Sequence, residues 1–133
     1  MRYRSILLID DDGIANHLHT VLIKKHNISR DVFIETNGKE GFDFIKKRYY
    51  TGKSLPSLII LDIDMPVQDG FSFLTQLLNS DLLAVKNIPV VILTNSVCSE
   101  DINRIKELGD FVYLQKPLSD NNLLAMVGKT LSY

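Results

Sequence analysis

Short apolar runs rich in β-branched residues alternate along the chain with segments of helical period, and this alternation constrains the fold more than any other feature. An apolar run of roughly four to eight residues between polar or turn residues is typical of a buried strand. The predicted strands are residues 5–9, 32–35, 58–61, 88–93 and 111–114. Between them, apolar residues recur at the spacing that places them on one helical face, which we expect to pack on the sheet. The faces of the five predicted helices are Ile14, Leu18, Val21 and Leu22; Phe42 and Ile45; Leu74, Leu77 and Leu78; Ile102 and Ile105; and Leu123, Leu124, Val127 and Leu131.

Strict alternation of strands and helices predicts βαβ units, a parallel sheet and helices on both of its faces, because right-handed crossovers leave few other topologies. The fold class is therefore α/β, a doubly wound sheet of five strands. Asn37, Ser99 and Ser119 are predicted N-caps, and Gly109 is a predicted helix stop. Residues 51–56 and 80–87 are predicted to be loops.

Composition excludes several classes of function. The 133 residues, 45% of them hydrophobic, suit one domain over residues 1–133. With 15 Lys and Arg against 16 Asp and Glu, no basic field is present to bind nucleic acid or an anionic membrane directly. The lone Cys98 cannot form an internal disulfide, and no apolar run approaches the roughly 20 residues that span a bilayer. We therefore expect a cytoplasmic protein.

Chemically active side chains follow four of the five predicted strands. Ligands bind beyond the carboxyl ends of parallel strands, so these side chains are expected to converge. They are Asp10, Asp11 and Asp12 after the first strand, Asp62 and Asp64 after the third, Thr94 after the fourth and Lys116 after the fifth. Several carboxylate oxygens close together suit a hard divalent cation, and we predict that Mg²⁺ binds there. Asp12 has a second interpretation, as the N-cap of the first helix, which we favour.

Four sequence stretches carry a family resemblance. They are ILLIDDD (6–12), LDIDMPVQDG (61–70), VVILTNS (90–96) and YLQKPL (113–118). In this order and at this spacing they resemble the receiver domain of bacterial two-component response regulators. The resemblance implies a flavodoxin-like sheet of strand order 2-1-3-4-5. It also implies that Asp62 accepts a phosphoryl group from a sensor histidine kinase or a histidine phosphotransfer protein.

The residues and the resemblance together assign roles at this site. Asp62 is the expected nucleophile, and Lys116 and the Thr94 hydroxyl are expected to bind phosphoryl oxygens. Asp11 and Asp62 are expected to bind Mg²⁺ directly, Asp10 through a water molecule, and Asp64 through its backbone carbonyl.

The resemblance further implies a switch, in which Thr94 moves toward the phosphate and the Tyr113 ring turns inward. It implies a cis peptide bond before Pro117 as well. The expected output surface, formed by the fourth predicted helix, the fifth strand and the fifth helix, binds an unknown downstream protein. The phosphoryl donor is expected to dock near the first helix.

Two residues depart from the family pattern. Asn95 stands where the family prefers Ala or Gly, and Asp64 adds an acid beside the phosphoacceptor. We expect Asp64 and Ser96 to flank the path of an attacking water molecule and so to affect the lifetime of the phosphate.

Alternative functions remain at this point. Asp62-Ile-Asp64 also resembles the D-x-D nucleophile and acid pair of haloacid-dehalogenase-type phosphatases. A flavodoxin-like flavin binder would need a hydroxyl-rich phosphate loop in place of DDDGIAN. A receiver-like interaction module that is not phosphorylated is the third alternative. His17, His19 and His26 are expected to be surface or packing residues.

Overall fold

A computed structural model describes residues 3–65, 69–96 and 98–130 of the chain, with the side chain of residue 69 excepted. Pro66 and Leu131, which the sequence analysis used, lie outside the described residues. Five parallel strands form one sheet in the order β2-β1-β3-β4-β5. The strands are β1 (Tyr3–Ile9), β2 (Ser29–Glu35), β3 (Leu58–Asp62), β4 (Val90–Thr94) and β5 (Val112–Gln115). The predicted fold class and strand order are confirmed.

Helices cover both faces of the sheet because successive side chains of the strands point to opposite sides. The helices of the described residues are α1 (Gly13–Lys25), α2 (Gly38–Tyr50), α3 (Asp69–Leu78), α4 (Leu83–Lys86), α5 (Glu100–Lys106) and α6 (Asp120–Thr130). Leu7 and Ile9 of β1 pack in one apolar cluster with residues of α2, α3, α4 and α5. Ile6 and Leu8 pack in the other with residues of α1 and α6. Both faces of the central strands are therefore dry, which matches their unbroken apolar sequence.

The predicted apolar face of α1 is wrong for three of its four residues, since only Leu22 packs against the core. Ile14, Leu18 and Val21 are exposed by 76%, 55% and 49%, whereas Asn16 and Ile23, on another side of the helix, are buried. The physical reason is a polar anchor, since the Asn16 side-chain amide donates a hydrogen bond of 2.8 Å to the backbone oxygen at position 10. This bond and the fully buried Ile23 side chain set the rotation of the helix, and the apolar stripe faces outward.

Two smaller expectations also fail. Residues 80–87 are not all loop, because the single turn of α4 inserts Val85 into the core. Four residues are too few to produce a helical period in the sequence. Leu124 is 40% exposed, at the edge of the buried face of α6.

The predicted helix starts are confirmed by hydrogen bonds. The side chains of Asn37 and Ser99 accept backbone N–H bonds at the starts of α2 and α5. The Ser119 hydroxyl accepts one from the N–H of Asn122, at 3.2 Å. Asp12 caps α1, as favoured, by accepting from the N–H groups of residues 14 and 15. α5 has its C-cap at position 107, so the predicted stop at Gly109 comes two residues late.

Among the described residues no helix combines the length and the apolar character needed to cross a membrane.

Replacing Gly41 by alanine is expected to destabilise the fold. A β-carbon at Gly41 would lie 2.6 Å from Cδ1 of Ile9, a side chain that is fully buried. Overpacking of this kind costs about 1–3 kcal/mol, which outweighs the gain of roughly 1 kcal/mol from replacing a helical glycine. Urea unfolding measures the difference. The control is Gly13→Ala, since nothing lies within 4 Å of the new methyl group there. Equal stability of both variants would contradict the packing described.

Candidate functional site

The predicted site residues converge at the carboxyl edge of the sheet. Asp10 directly follows β1, Asp62 and Thr94 are the last residues of β3 and β4, and Lys116 directly follows β5. Three of these polar side chains lie inside the molecule, since Asp10 is 3% exposed, Asp62 2% and Thr94 0%. Buried polar groups require partners, so their contacts define what the site can do.

Three carboxylates form a cluster at this edge. One oxygen from each of Asp10, Asp11 and Asp62 lies within 4.8 Å of the others. Oδ1 of Asp10 accepts a 2.9 Å hydrogen bond from the backbone N–H of Asp12. Oδ2 of Asp10 is buried and has no hydrogen-bond partner among the described residues. A buried carboxylate oxygen without a donor is costly, which indicates that the site is built for a further group.

Burial raises the pKa of Asp10 to about 7. The N–H of Asp12 opposes this rise, whereas the neighbouring Asp62 carboxylate adds to it. The cost of placing these acids together is therefore concentrated on Asp10.

Lys116 supplies the countercharge. Its Nζ lies 2.8 Å from Oδ1 of Asp62 and 3.9 Å from Oδ2 of Asp64. Burial alone would lower the pKa of Lys116, but the hydrogen bond and the charge of Asp62, with Asp10 and Asp64, raise it overall. Lys116 is thus held as a cation beside Asp62. The same Oδ1 of Asp62 accepts a 2.9 Å bond from the N–H of Asp64.

Thr94 and Asp64 are joined to each other. The Thr94 hydroxyl donates to the Ser96 carbonyl at 3.2 Å and to Oδ1 of Asp64 at 3.4 Å. Oδ2 of Asp64 accepts a 2.5 Å bond from the backbone N–H of Asn95. The Asp64 side chain therefore links the loop after β3 to the loop after β4. No contact of the described residues tests the Asp64 carbonyl as a metal ligand or the effect of Asp64 and Ser96 on phosphate lifetime, and both stay predictions.

Tyr113 lies on β5, and its half-buried ring packs against the apolar cluster of α2, α3, α4 and α5. Its hydroxyl oxygen is buried and has no hydrogen-bond partner among the described residues. Burial, with the nearby Asp110, raises the pKa of the phenol. One conformation cannot test a switch, so the paired motion of Thr94 and Tyr113 stays a prediction. The peptide bond between Lys116 and Pro117 is cis, as predicted.

Sequence reasoning missed Asn16 and His19 of α1. The amide of Asn16 donates to the carbonyl of Asp10, which fixes the loop that carries the acids. His19 is buried, and burial and the charge of Lys116 lower its pKa, so His19 is favoured as a neutral ring. His19 lines a cavity of about 320 Å³ with Leu18, Asn95 and Lys116. The helical period did not predict that Asn16 and His19 face the core, because the face of α1 that carries them contains both polar and apolar residues.

The cluster suits a hard divalent cation. Three carboxylate oxygens converge, and Asp10 has one oxygen, Oδ2, without a hydrogen-bond partner among the described residues. Carboxylate oxygens are the ligands that Mg²⁺, Mn²⁺ and Ca²⁺ prefer. Soft ligands such as thiolate are absent from this cluster of described residues.

Comparison with known proteins settles the family. A family model, the response regulator receiver domain, matches residues 6–128. The chain belongs to this family. Receiver domains are phosphorylation-accepting signalling switches that bind a divalent metal, are phosphorylated by histidine kinases and are not classical enzymes. The alternatives, a haloacid-dehalogenase-type phosphatase and an interaction module that is not phosphorylated, are not favoured.

Individual receiver proteins are similar over most of the chain. The probable methanogenesis regulatory protein FilR2 of Methanothrix harundinacea is 33% identical over 96% of this chain and 81% of its own length. Response regulator Rcp1 of Synechocystis is 32% identical over 92% of this chain and 82% of its own. The Mn²⁺-bound structure of Rcp1 gives a TM-score of 0.74 with 29% identity, covering 98% of this chain and 93% of that one. A two-component response regulator from Cytophaga hutchinsonii gives 0.80 with 30% identity, covering all of both chains.

Asp10→Asn is expected to stabilise the metal-free receiver domain at high pH. Because the folded-state pKa of Asp10 is about 7 against an ordinary value of 3.8, folding becomes less favourable as the pH rises between these values. Asparagine does not ionise and escapes this loss. Thermal unfolding in a chelator is expected to show a gain of about 5 °C near pH 8 and a smaller gain near pH 5.

The control for this measurement is Asp31→Asn, which removes an exposed acid on β2. It is expected to show no comparable dependence on pH. A variant at position 10 that gains nothing at high pH would show that burial and the neighbouring Asp62 do not raise the pKa of Asp10.

Proposed function

We propose that Asp62 accepts a phosphoryl group from a phosphohistidine of a sensor histidine kinase or a histidine phosphotransfer protein, with Mg²⁺ bound beside it. The observation that carries the proposal is the buried Asp62 carboxylate, 2.8 Å from the Lys116 ammonium and within 4.8 Å of two further acids. No structural role requires three acids and a lysine at one sheet edge.

The chemistry is a simple exchange of bonds at phosphorus. A carboxylate oxygen of Asp62 forms a bond to phosphorus as the bond between phosphorus and the donor nitrogen breaks, and the histidine keeps that electron pair. Lys116 stabilises charge on the oxygens being transferred, and the Thr94 hydroxyl, at the end of the adjoining strand β4, is a further donor. The return reaction is hydrolysis of the acyl phosphate by water. This self-phosphorylation and self-dephosphorylation is the only chemistry that we assign to the chain.

The carboxylates of Asp10, Asp11 and Asp62 would hold the Mg²⁺, Asp10 through a water molecule, and the Asp64 carbonyl would add an oxygen. When bound, the ion neutralises the acids and offsets the negative charge of the phosphoryl oxygens. The protein supplies the arrangement of these oxygens and the burial that strengthens their interaction with charge.

Phosphorylation would be converted into a changed surface by Thr94 and Tyr113. The modification adds about −1.5 to −2 charge at the strand ends, which favours movement of the Thr94 hydroxyl from Ser96 toward the phosphoryl group. Such a movement would open space toward Tyr113, which lies on the neighbouring strand β5, two residues before Gln115, the register partner of Thr94. The surface of α5, β5 and α6 is then the proposed contact for an unknown downstream protein.

The phosphoryl donor is proposed to dock on α1. The exposed apolar stripe of Ile14, Leu18 and Val21 leads directly to the cavity beside Lys116. Exposed apolar side chains next to a reactive group are typical of a protein interface. The balanced charge and lone Cys98 support a cytoplasmic location without direct binding of nucleic acid or membrane, and the family match over residues 6–128 supports one receiver domain for residues 1–133.

Asp62→Asn is expected to abolish phosphorylation. Incubation of the wild type with Mg²⁺ and acetyl phosphate is expected to give one phosphoryl adduct by intact-protein mass spectrometry, and a chelator is expected to remove it. The asparagine variant lacks the nucleophilic oxygen and is expected to give none. Asp31→Asn, which removes a distant acid, serves as the control and is expected to behave as the wild type. Rapid turnover of many phosphate esters without an adduct would support a phosphatase instead.

Leu18→Ser is expected to slow transfer from a phosphohistidine protein at least tenfold while leaving phosphorylation by acetyl phosphate within about twofold, because only the protein donor needs the apolar stripe. Time courses with a phosphohistidine domain that phosphorylates the wild type measure the first rate. Leu83→Ser removes an equally apolar exposed side chain on α4 and is the matched control. Equal slowing with both donors would place Leu18 in the site and not in the docking surface.

A further inference from the structure

We propose that the Asp64 carboxylate is a built-in competitor of the phosphoryl group, which occupies the donors of the phosphoryl oxygens in the unmodified protein and thereby slows phosphorylation. The inference rests on the proposed function of Asp62 and adds a regulatory residue to that site.

The contacts of Asp64 carry the proposal. Its two oxygens reach a hydroxyl, a backbone N–H and an ammonium group, which is the donor set that a phosphoryl group would need at this place. The Thr94 hydroxyl donates to Oδ1 at 3.4 Å, and the N–H of Asn95 donates to Oδ2 at 2.5 Å. The Lys116 ammonium is 3.9 Å from the same Oδ2. A carboxylate thus already lies among the three donors, hydrogen-bonded to two of them and paired in charge with the third.

The position of Asp64 in the chain keeps this carboxylate beside the acceptor. The N–H of Asp64 donates to Oδ1 of Asp62 at 2.9 Å, so the backbone of residue 64 is fixed against the nucleophile. The Asp64 side chain is 21% exposed, which leaves it room to swing toward solvent. It can therefore leave the three donors without disturbing the core.

The Asp64 carboxylate competes with a phosphoryl group for these donors because both groups are negatively charged. A phosphoryl group on Asp62 would bring about −1.5 to −2 charge next to the Asp64 carboxylate, and like charges at this distance repel. Transfer therefore requires that the Asp64 oxygens release the Asn95 N–H and the Thr94 hydroxyl, which then bind phosphoryl oxygens. Asparagine at position 64 keeps an acceptor oxygen but removes the charge, which separates the repulsion from the hydrogen bond.

The same contact explains how the site could couple two loops. Asp64 follows β3 and Asn95 follows β4, so their hydrogen bond holds the two loops together in the unmodified protein. Replacement of the carboxylate by phosphoryl oxygens would transfer this link from residue 64 to residue 62. The loop after β4 would then follow the modification state directly.

The experiment measures the rate of adduct formation from acetyl phosphate at saturating Mg²⁺ and subsaturating donor. In this reaction an Asp62 oxygen bonds to phosphorus as the bond to the acetyl oxygen breaks, and acetate leaves with the electron pair. Asp64→Asn is expected to accelerate the reaction about fivefold, since a partly exposed charge interaction is of that order. Asp64→Glu restores the charge and is expected to lose most of the acceleration. Asp101→Asn, which removes an exposed acid on α5, is the matched control and is expected to stay at the wild-type rate.

A second measurement is independent of the transfer chemistry. Beryllofluoride, a tetrahedral mimic of the phosphoryl group, is expected to bind Asp64→Asn about fivefold more tightly than the wild type. In proton–nitrogen NMR spectra without the mimic, the amide proton of Asn95 is expected to move upfield in this variant, because its carboxylate partner is lost. Thermal unfolding checks that each variant is folded.

The possible outcomes distinguish a failure of the Asp64 proposal from a failure of the proposed function of Asp62. An unchanged or slower rate in Asp64→Asn, with the adduct still forming on Asp62, would overturn the role of Asp64 and leave the proposed function standing. An acceleration that Asp64→Glu matches would overturn it as well, since charge would then not matter. Absence of any adduct in the wild type and in every variant would instead overturn the proposed function.

Discussion

The ion pair between Lys116 and Asp62 is the interaction on which the site depends. Three carboxylates converge, the buried Asp10 and Asp62 and the exposed Asp11, and no other described cation lies as close to Asp62. Lys116 neutralises one charge, and burial, with the charge of Asp62 adding to it, raises the pKa of Asp10. In the proposed function, the negative charge that Lys116 leaves unbalanced would favour a bound cation, while Lys116 and the N–H of Asp64 hold the Asp62 carboxylate in place.

A parallel sheet can hold such a cluster together because the carboxyl ends of its strands lie at one edge. The central strands are buried on both faces, so their apolar side chains fix the register. A fixed register in turn fixes the position of the first residues beyond each strand end. Asp62 pairs in register with Leu93, which places Thr94 one residue further along the neighbouring strand. Side chains separated by tens of residues in sequence are thereby held within hydrogen-bond distance. Helix caps such as Asp12 complete the arrangement by fixing where each loop turns back.

The hydrophobic runs predicted the strands and the residues at the edge of the sheet, because the end of each run marks the end of a strand, whereas the family resemblance implied the strand order. The rotation of α1 was not predictable from its apolar pattern. The hydrogen bond from Asn16 to the backbone of Asp10 determines it, and that bond depends on three-dimensional placement. The direction of the Asp64 side chain could not be predicted either, since its hydrogen-bond partners Thr94 and Asn95 lie about thirty residues away in sequence. The residue types at the site could thus be predicted from the sequence, whereas the hydrogen bonds between them depend on the three-dimensional fold.

Tyr113 shows how a switch can be built from opposing preferences within one side chain. Its ring carbons gain from contact with the apolar cluster, but its hydroxyl oxygen, enclosed without a donor or acceptor, would gain about 1–3 kcal/mol from meeting water or a new partner. The position that favours the ring therefore leaves the hydroxyl without a partner among the described residues. In the proposed switch, this opposition would keep the difference in free energy between two positions of the ring small.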